Sequence, residues 1–291
     1  MKPVKRVSVL STGTVQIRPE HVETNGTPLM WWLNTSRRWT DPRPINVYVI
    51  EHAKGLVLFD TGQDQRSVTD TEYFPGGVTG HMYRRLAKFD IPEGATLTEQ
   101  LRAQGYDISD VRVVILSHLH QDHIGGLREL PRSARVLASG VELAEVDKRF
   151  AVLNGLLRDH INIPGINWVP VTPQPGRDDS IAPFTHAHDV MGDGSLLLLP
   201  TPGHTPGSMS LLLRSEGLPS MLFVGDVTYD ADLLAADRVP GVGDRAGLHE
   251  TTRRINQLAT RYPGMPILAA HDPAAARLLE SALSQPRKAI H

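Results

Sequence analysis

Short apolar, β-branched runs alternate along the chain with stretches of helical spacing. Asn46–Ile50 and Leu56–Phe59 are two such runs, and the Glu51–Gly55 interval between them predicts a hairpin with Gly55 at its turn. Leu97–Gln104 places its apolar residues at helical spacing and stops at Gly105, which suits a left-handed C-cap. Val111–Leu116 then reads as a strand covered on both faces. In the second half, Trp168–Val171, Ser195–Leu199, Ser208–Leu213 and Met221–Val224 read as strands bounded by Pro or Gly. Leu248, Thr252, Ile255 and Leu258 mark an amphipathic helix closed by Pro263-Gly264, followed by a strand Pro266–Ala269 and a last helix from near Pro273. Strand-rich halves punctuated by helices predict two packed sheets with helices outside. Gln63–Glu93 and Phe150–Gly165 are the least regular stretches, and both are expected to be lids or substrate-facing insertions.

Composition narrows the function classes. Of 291 residues, 40% are hydrophobic and 21% charged, a globular balance that excludes disorder. Thirty Lys and Arg against 32 Asp and Glu leave a net charge of -2, which argues against nucleic-acid or anionic-membrane partners. The chain has no cysteine, so disulfides, thiolate metal sites and a cysteine nucleophile are excluded, and a reducing compartment is accommodated. The N-terminal run Val7–Leu10 is too short for a signal peptide, and no run approaches the ~18 apolar residues of a membrane span. The expectation is a cytoplasmic protein forming a single domain over residues 1–291.

The chemistry concentrates in the histidines, of which there are 13. Ser117-His118-Leu119-His120-Gln121-Asp122-His123 directly follows the Val111–Leu116 strand and precedes Gly125-Gly126. In an extended segment His118 and His120 point to the same side. A helix opening near Asp122 turns that residue and His123 back toward the same mouth. Three imidazoles and a carboxylate suit Zn²⁺, Mn²⁺ or Fe²⁺ and not Cu(I). His204 in Thr201-Pro-Gly-His-Thr-Pro-Gly207, Asp226 after Met221–Val224, and His271 after the last strand also stand at strand ends, where the same pocket needs them. Ser117 has no evident general base. His186 and His188, like His21, His52, His81, His160, His249 and His291, read as exposed loop histidines, with His160 a candidate lid residue. Arg177-Asp178-Asp179 reads as a solvated turn.

The segments HLHQDH, TPGHTPGS and VGD, with the late His271, together resemble the metallo-β-lactamase superfamily. In order and spacing they resemble its N-acyl homoserine lactonase branch, from about Val7 to Leu283. The resemblance implies an αββα sandwich, two mixed β-sheets with helices on the outer faces. It also implies two divalent metal ions, zinc first, with cobalt, manganese or iron as alternatives. His118, His120 and His204 would hold one ion, Asp122, His123 and His271 the other, and Asp226 would bridge. Asp60, in Leu58-Phe-Asp-Thr-Gly62, would orient a ligand from behind. Tyr229, three residues after Asp226, matches a tyrosine near the substrate carbonyl in that branch. The implied reaction is attack of a metal-bridging hydroxide on the lactone ring of an N-acyl homoserine lactone, with Tyr229 stabilising the oxyanion and Asp122 passing a proton to the ring oxygen. Met30, Trp31 and Phe74 are expected along the acyl chain, and a homodimer is compatible with the reading. The interval from His123 to His204 is longer than the branch pattern, so an insertion is expected within Phe150–His188. The alternatives are another hydrolase on the same site (aryl ester or organophosphate, β-lactam, thioester), a di-iron redox protein, or a non-catalytic binding module. The di-iron reading suffers because flavin-linked members usually have a carboxylate where His120 stands, and an attached flavin domain.

Overall fold

The computed structural model describes residues 2–176 and 178–284. Arg177 and His291, read above as solvated turn and exposed histidine, lie outside the described residues. Seven strands, β1 (Val4–Ile17), β2 (Arg43–His52), β3 (Gly55–Phe59), β4 (Ala87–Asp90), β5 (Val111–Ile115), β6 (Arg135–Ser139) and β7 (Asn167–Val171), form one sheet in the order β4-β1-β2-β3-β5-β6-β7. Six more, β8 (Gln174–Pro175), β9 (His186–Asp189), β10 (Leu196–Pro200), β11 (Met209–Leu213), β12 (Met221–Gly225) and β13 (Ile267–Ala269), form a second in the order β13-β12-β11-β10-β9-β8. Both sheets are mixed: β3, β5, β6 and β7 run parallel beside an antiparallel β4-β1-β2-β3 half, and β12–β13 is a parallel pair in an otherwise antiparallel sheet.

Strand alternation divides the apolar residues between two layers. On β2, Tyr48 and Ile50 turn inward to Phe59, Ile115, Leu198, Leu211 and Phe223 between the sheets. Val47 and Val49 turn outward and are covered by Leu97 and Leu101 of the helix Leu97–Ala103. That helix begins at Thr96, an N-cap whose hydroxyl accepts from the Glu99 N–H and donates to the Glu99 carboxylate. On the far side, Ile255 and Leu258 of the helix Arg245–Arg261 cover Leu212, Leu222 and Val224. The result is the αββα sandwich with helices outside. Because both faces of these strands are covered, they read as near-continuous apolar runs.

The structure also corrects the sequence reading. β1 is 14 residues long, although only Val7–Leu10 stood out as apolar. Its pairing with β2 shifts register between Val4 and Arg6 and between Ser11 and Thr14, which breaks the two-residue alternation. Gly13 sits at the second irregularity with φ 123°, where a Cβ would lie 2.6 Å from the Asp90 carbonyl oxygen. The irregular stretch Gln63–Glu93 contains helices Arg66–Thr69 and Gly77–Leu86 as well as β4. Phe150–Gly165 contains a 3₁₀ turn, Ala151–Asn154, and a short helix, Arg158–Ile161. His186 and His188 belong to β9, with His188 half-buried. His52 is buried, not exposed: its Nε2 lies 3.1 Å from Asp193 and its Nδ1 accepts from the Lys54 N–H. No described helix is long and apolar enough to cross a membrane.

Candidate functional site

Several strands end at one rim of the sandwich, and their following residues build the site. β3 delivers Asp60, β5 delivers Ser117–His123, β12 delivers Asp226, β13 delivers His271, and the turn between β10 and β11 carries His204. Close approach makes glycine obligatory here. Gly225, at φ 56°, would place a Cβ 2.6 Å from the Ser117 Cβ. After His120 the chain turns into the helix Gln121–Ile124, which brings Asp122 and His123 back to the rim.

The residues singled out in the sequence converge. Donor atoms of His118, His120 and His204 lie within 4.8 Å of one another, as do those of Asp122, His123 and His271. Asp226 groups with His118 and His123, one member of each trio, and therefore sits between them. Its Oδ1 is 3.5 Å from both His123 Nε2 and His271 Nε2, and its Oδ2 is 3.6 Å from His204 Nε2. Asp122 Oδ2 is 3.4 Å from His271 Nε2.

The outer nitrogens of this cluster are anchored. Asp60, a non-glycine at φ 64°, accepts from the Ser117 N–H at 2.7 Å and the Ser117 hydroxyl at 2.9 Å, and lies 2.8 Å from His123 Nδ1. Such a left-handed backbone in a non-glycine residue is a costly conformation, held here by the contacts it makes. His120 Nε2 lies 2.9 Å from the Asn154 carbonyl oxygen, and His271 Nδ1 lies 3.0 Å from that of Pro44. Ser117 thus serves as a polar tie between β5 and Asp60.

The inner atoms tell a different story. His118 Nε2, His123 Nε2 and Asp226 Oδ1 are buried with no hydrogen-bond partner among the described residues. Buried polar atoms are rarely left so without an ion or water to satisfy them. The charges point the same way. Burial opposes a charge on His123, yet Asp226 and Asp60 outweigh it and hold its pKa well above the ordinary range. His271 is likewise raised against burial, by Asp226 and Asp122. Burial would raise the Asp226 carboxyl, but the neighbouring His271 and His123 hold it far below the usual range, and Asp122 is lowered by His271 and His123 in the same manner. His118 and His204 are shifted the other way, pulled down chiefly by burial, His204 to about 3, and so stand as neutral imidazoles. Neutral imidazole and carboxylate donors fit divalent cations of intermediate hardness.

The cluster forms part of the wall of a cavity of about 630 Å³. The remaining wall is mostly apolar and includes Val15, Ile17, Leu29, Leu86, Leu156 and Val242. Tyr229 reaches into it: its ring stacks on His271 at 5.7 Å, and its hydroxyl is 2.9 Å from Asp226 Oδ2. Burial and the Asp226 charge push the phenol well above its ordinary pKa, so it is a neutral O–H donor. Three expectations fail. Met30 and Trp31 are 54% and 65% exposed, on the solvent face of the helix Leu29–Thr35, and it is Leu29 that faces the cavity. Phe74 instead stacks among Tyr73, Tyr83 and Phe89, outside the cavity lining. Leu153–Leu156 form part of the wall, as expected of a substrate-facing Phe150–Gly165 stretch, and the Asn154 carbonyl touches His120. One feature was missed. His21, read as an exposed histidine, also lines the cavity, and its Nε2 is 2.9 Å from the Tyr229 hydroxyl. No motif surrounds His21, and its partner is 208 positions away, so nothing local could have disclosed it.

The family described as the metallo-beta-lactamase superfamily matches the chain over residues 40–283. An N-acyl homoserine lactonase, AttM of Rhizobium radiobacter, is 28% identical over 273 residues, covering 93% of this chain and 94% of the relative. AttM of Azorhizobium caulinodans is 30% identical over 235 residues, covering 80% and 83%. The solved structure of an N-acyl homoserine lactone hydrolase, with the product N-hexanoyl-L-homoserine at its catalytic metal centre, superposes with a TM-score of 0.73 at 22% identity, covering 93% and 94%.

Proposed function

Since the chain belongs to the metallo-beta-lactamase superfamily, we propose that it is a metal-dependent hydrolase that opens the lactone ring of N-acyl homoserine lactones. The observation that carries this reading is the cavity. It has the His/Asp cluster and the Tyr229 hydroxyl on one part of its wall and mostly apolar lining elsewhere, a combination that suits a polar ring with an acyl tail. The relatives named lactonases that align along nearly the whole chain support the substrate class.

His118, His120 and His204 would hold one divalent ion and Asp122, His123 and His271 a second, with Asp226 shared between them; zinc suits this donor set best. When bound, such ions supply Lewis acidity, bringing the pKa of a water down to about 7 and polarising an ester carbonyl. Asp60 fixes the His123 ring through Nδ1 and so aims Nε2 into the cluster. Tyr229 Oη donates to the lactone carbonyl oxygen as negative charge builds there. The Asp122 carboxylate, ionised at neutral pH, accepts the proton of the attacking water and returns it to the ring oxygen as the C–O bond breaks. Val15, Ile17, Leu29 and Leu86 exclude water and receive the acyl chain, leaving an opened hydroxy acid as product.

The test is proton release by purified protein of measured metal content. The panel holds N-acyl homoserine lactones of short and long chain, a simple γ-lactone, a β-lactam, an aryl ester and an aryl phosphotriester. The expected result is two metal ions per chain and a strong preference for the acyl homoserine lactones. Turnover of the ester, β-lactam or phosphotriester with none of any lactone would keep the metal centre and overturn the substrate.

A further inference from the structure

The Tyr229 hydroxyl has two neighbours and one proton. Asp226 Oδ2 and His21 Nε2 each lie 2.9 Å from its oxygen. The phenol donates its one proton to Asp226 Oδ2, a carboxylate oxygen that serves as acceptor. The second contact then needs its donor on His21, which requires the Nε2–H tautomer. The other ring nitrogen agrees: His21 Nδ1 is shut away from solvent with no partner among the described residues. A buried lone pair left unused is a smaller cost than a buried N–H left unused.

Resting on the proposed role of Tyr229 as donor to the lactone carbonyl, we infer that His21 is a positioning residue: its Nε2–H holds the phenol oxygen and leaves the phenol proton free to turn from Asp226 to the substrate. The opposite tautomer would draw that proton onto His21 and away from the cavity, and would set the Asp226 carboxylate against the phenol lone pairs. A hydrogen bond donated into a hydroxyl oxygen also strengthens that hydroxyl as a donor. Burial keeps the ring neutral, with its pKa down at about 4. The backbone around His21 is pinned on both sides, as a positioning role demands. The His21 carbonyl accepts from the Gly241 N–H at 3.1 Å, and the Thr24 N–H donates to the Val239 carbonyl at 2.9 Å. The neighbouring Glu20 side chain is buried, accepting from the Ser36 hydroxyl at 2.9 Å. The ring itself meets Tyr229 edge-on at 5.1 Å and Trp32 at 6.1 Å.

The test combines kinetics on the metal-loaded enzyme with a measurement that needs no substrate. His21→Phe keeps an aromatic ring but loses the N–H, whereas His21→Gln keeps an N–H donor at similar reach. The expected results are a kcat for lactone about tenfold lower in His21→Phe with KM little changed, and recovery of most of that loss in His21→Gln. His21→Phe should cost nothing further in a Tyr229→Phe background, because the two residues act through one hydroxyl. In ¹⁵N-histidine spectra, the signal that disappears in His21→Gln should carry the shifts of a neutral Nε2–H ring. If Tyr229→Phe lowers kcat but His21→Phe does not, if the two losses multiply, or if the spectra report Nδ1–H, the positioning role is overturned while the lactonase reading stands. If Tyr229→Phe leaves lactone turnover unchanged, the role of Tyr229 falls and this inference with it. If no lactone is hydrolysed at all, the substrate reading fails, and the ¹⁵N spectra still decide the tautomer.

Discussion

Asp60 shows how much one side chain organises. Its carboxylate takes the Ser117 N–H, the Ser117 hydroxyl and the His123 Nδ1 at 2.7–2.9 Å, while its backbone holds φ at 64°. An amide in its place offers one oxygen and an NH₂, so at least one of these three contacts becomes a donor facing a donor. Of the three, the contact to His123 Nδ1 is the one that aims a residue of the His/Asp cluster. Asp60→Asn is therefore expected to weaken metal retention by about 10- to 100-fold without unfolding the chain. Competition with a chromophoric chelator measures that loss, and circular dichroism checks the fold. Unaltered retention would mean that the Ser117 ties, not the carboxylate charge, hold His123 in place. His123, with its pKa raised chiefly by Asp226 and Asp60 against the cost of burial, is the most exposed to the change.

At the scale of elements, two ligand-bearing loops have to be held in register, and Glu142 does this from the helix Gly140–Val146. The side chain is buried; Oε1 accepts from the Leu119 N–H at 3.2 Å and Oε2 from the Gly207 N–H at 3.1 Å. It thereby joins the segment carrying His118 and His120 to the turn carrying His204. Glu142→Ala would orphan two buried N–H groups and is expected to cost about 2–4 kcal/mol, read from urea unfolding, with Glu142→Gln costing less because one acceptor survives. Elements also mark where the sequence was readable. β2, β3, β5, β10, β11 and β12 were legible because both their faces are buried, and the ligand-bearing loops because each follows such a strand. β1 was hidden by bulges that break its alternation. The helix Leu29–Thr35 was seen only as an aromatic cluster, so Met30 and Trp31 were assigned to the cavity when the turn of the helix gives that place to Leu29. Glu142 and His21 were illegible for another reason. Each acts on residues far away in sequence, and no local pattern encodes a partner across the fold.

The two sheets of the whole molecule meet at the site and again at the opposite end, where His52 at the end of β2 contacts the loop between β9 and β10. Its Nε2 lies 3.1 Å from Asp193 and 3.3 Å from the Ser195 hydroxyl, and its Nδ1 accepts from the Lys54 N–H. A ring that accepts on one nitrogen and donates on the other must be neutral. Burial lowers its pKa below the ordinary value, although Asp193 pulls the other way. The folded pKa thus lies below that of the unfolded chain, about 6.5, so the unfolded state binds the proton more readily. The contribution of this contact is complete above about pH 6.5 and is lost as the pH falls from there toward the folded value. The metal-site histidines are acid-sensitive as well, so the comparison has to be made with metal in excess and between variants. His52→Gln removes the titrating group while keeping a donor and an acceptor. Its Tm is expected to fall less steeply than that of the parent chain between pH 7 and pH 5, with the two curves drawing together as the pH drops. Parallel curves across that interval would show that the junction at this end of the sandwich does not sense protons, and that acid lability of the fold arises at the His/Asp rim.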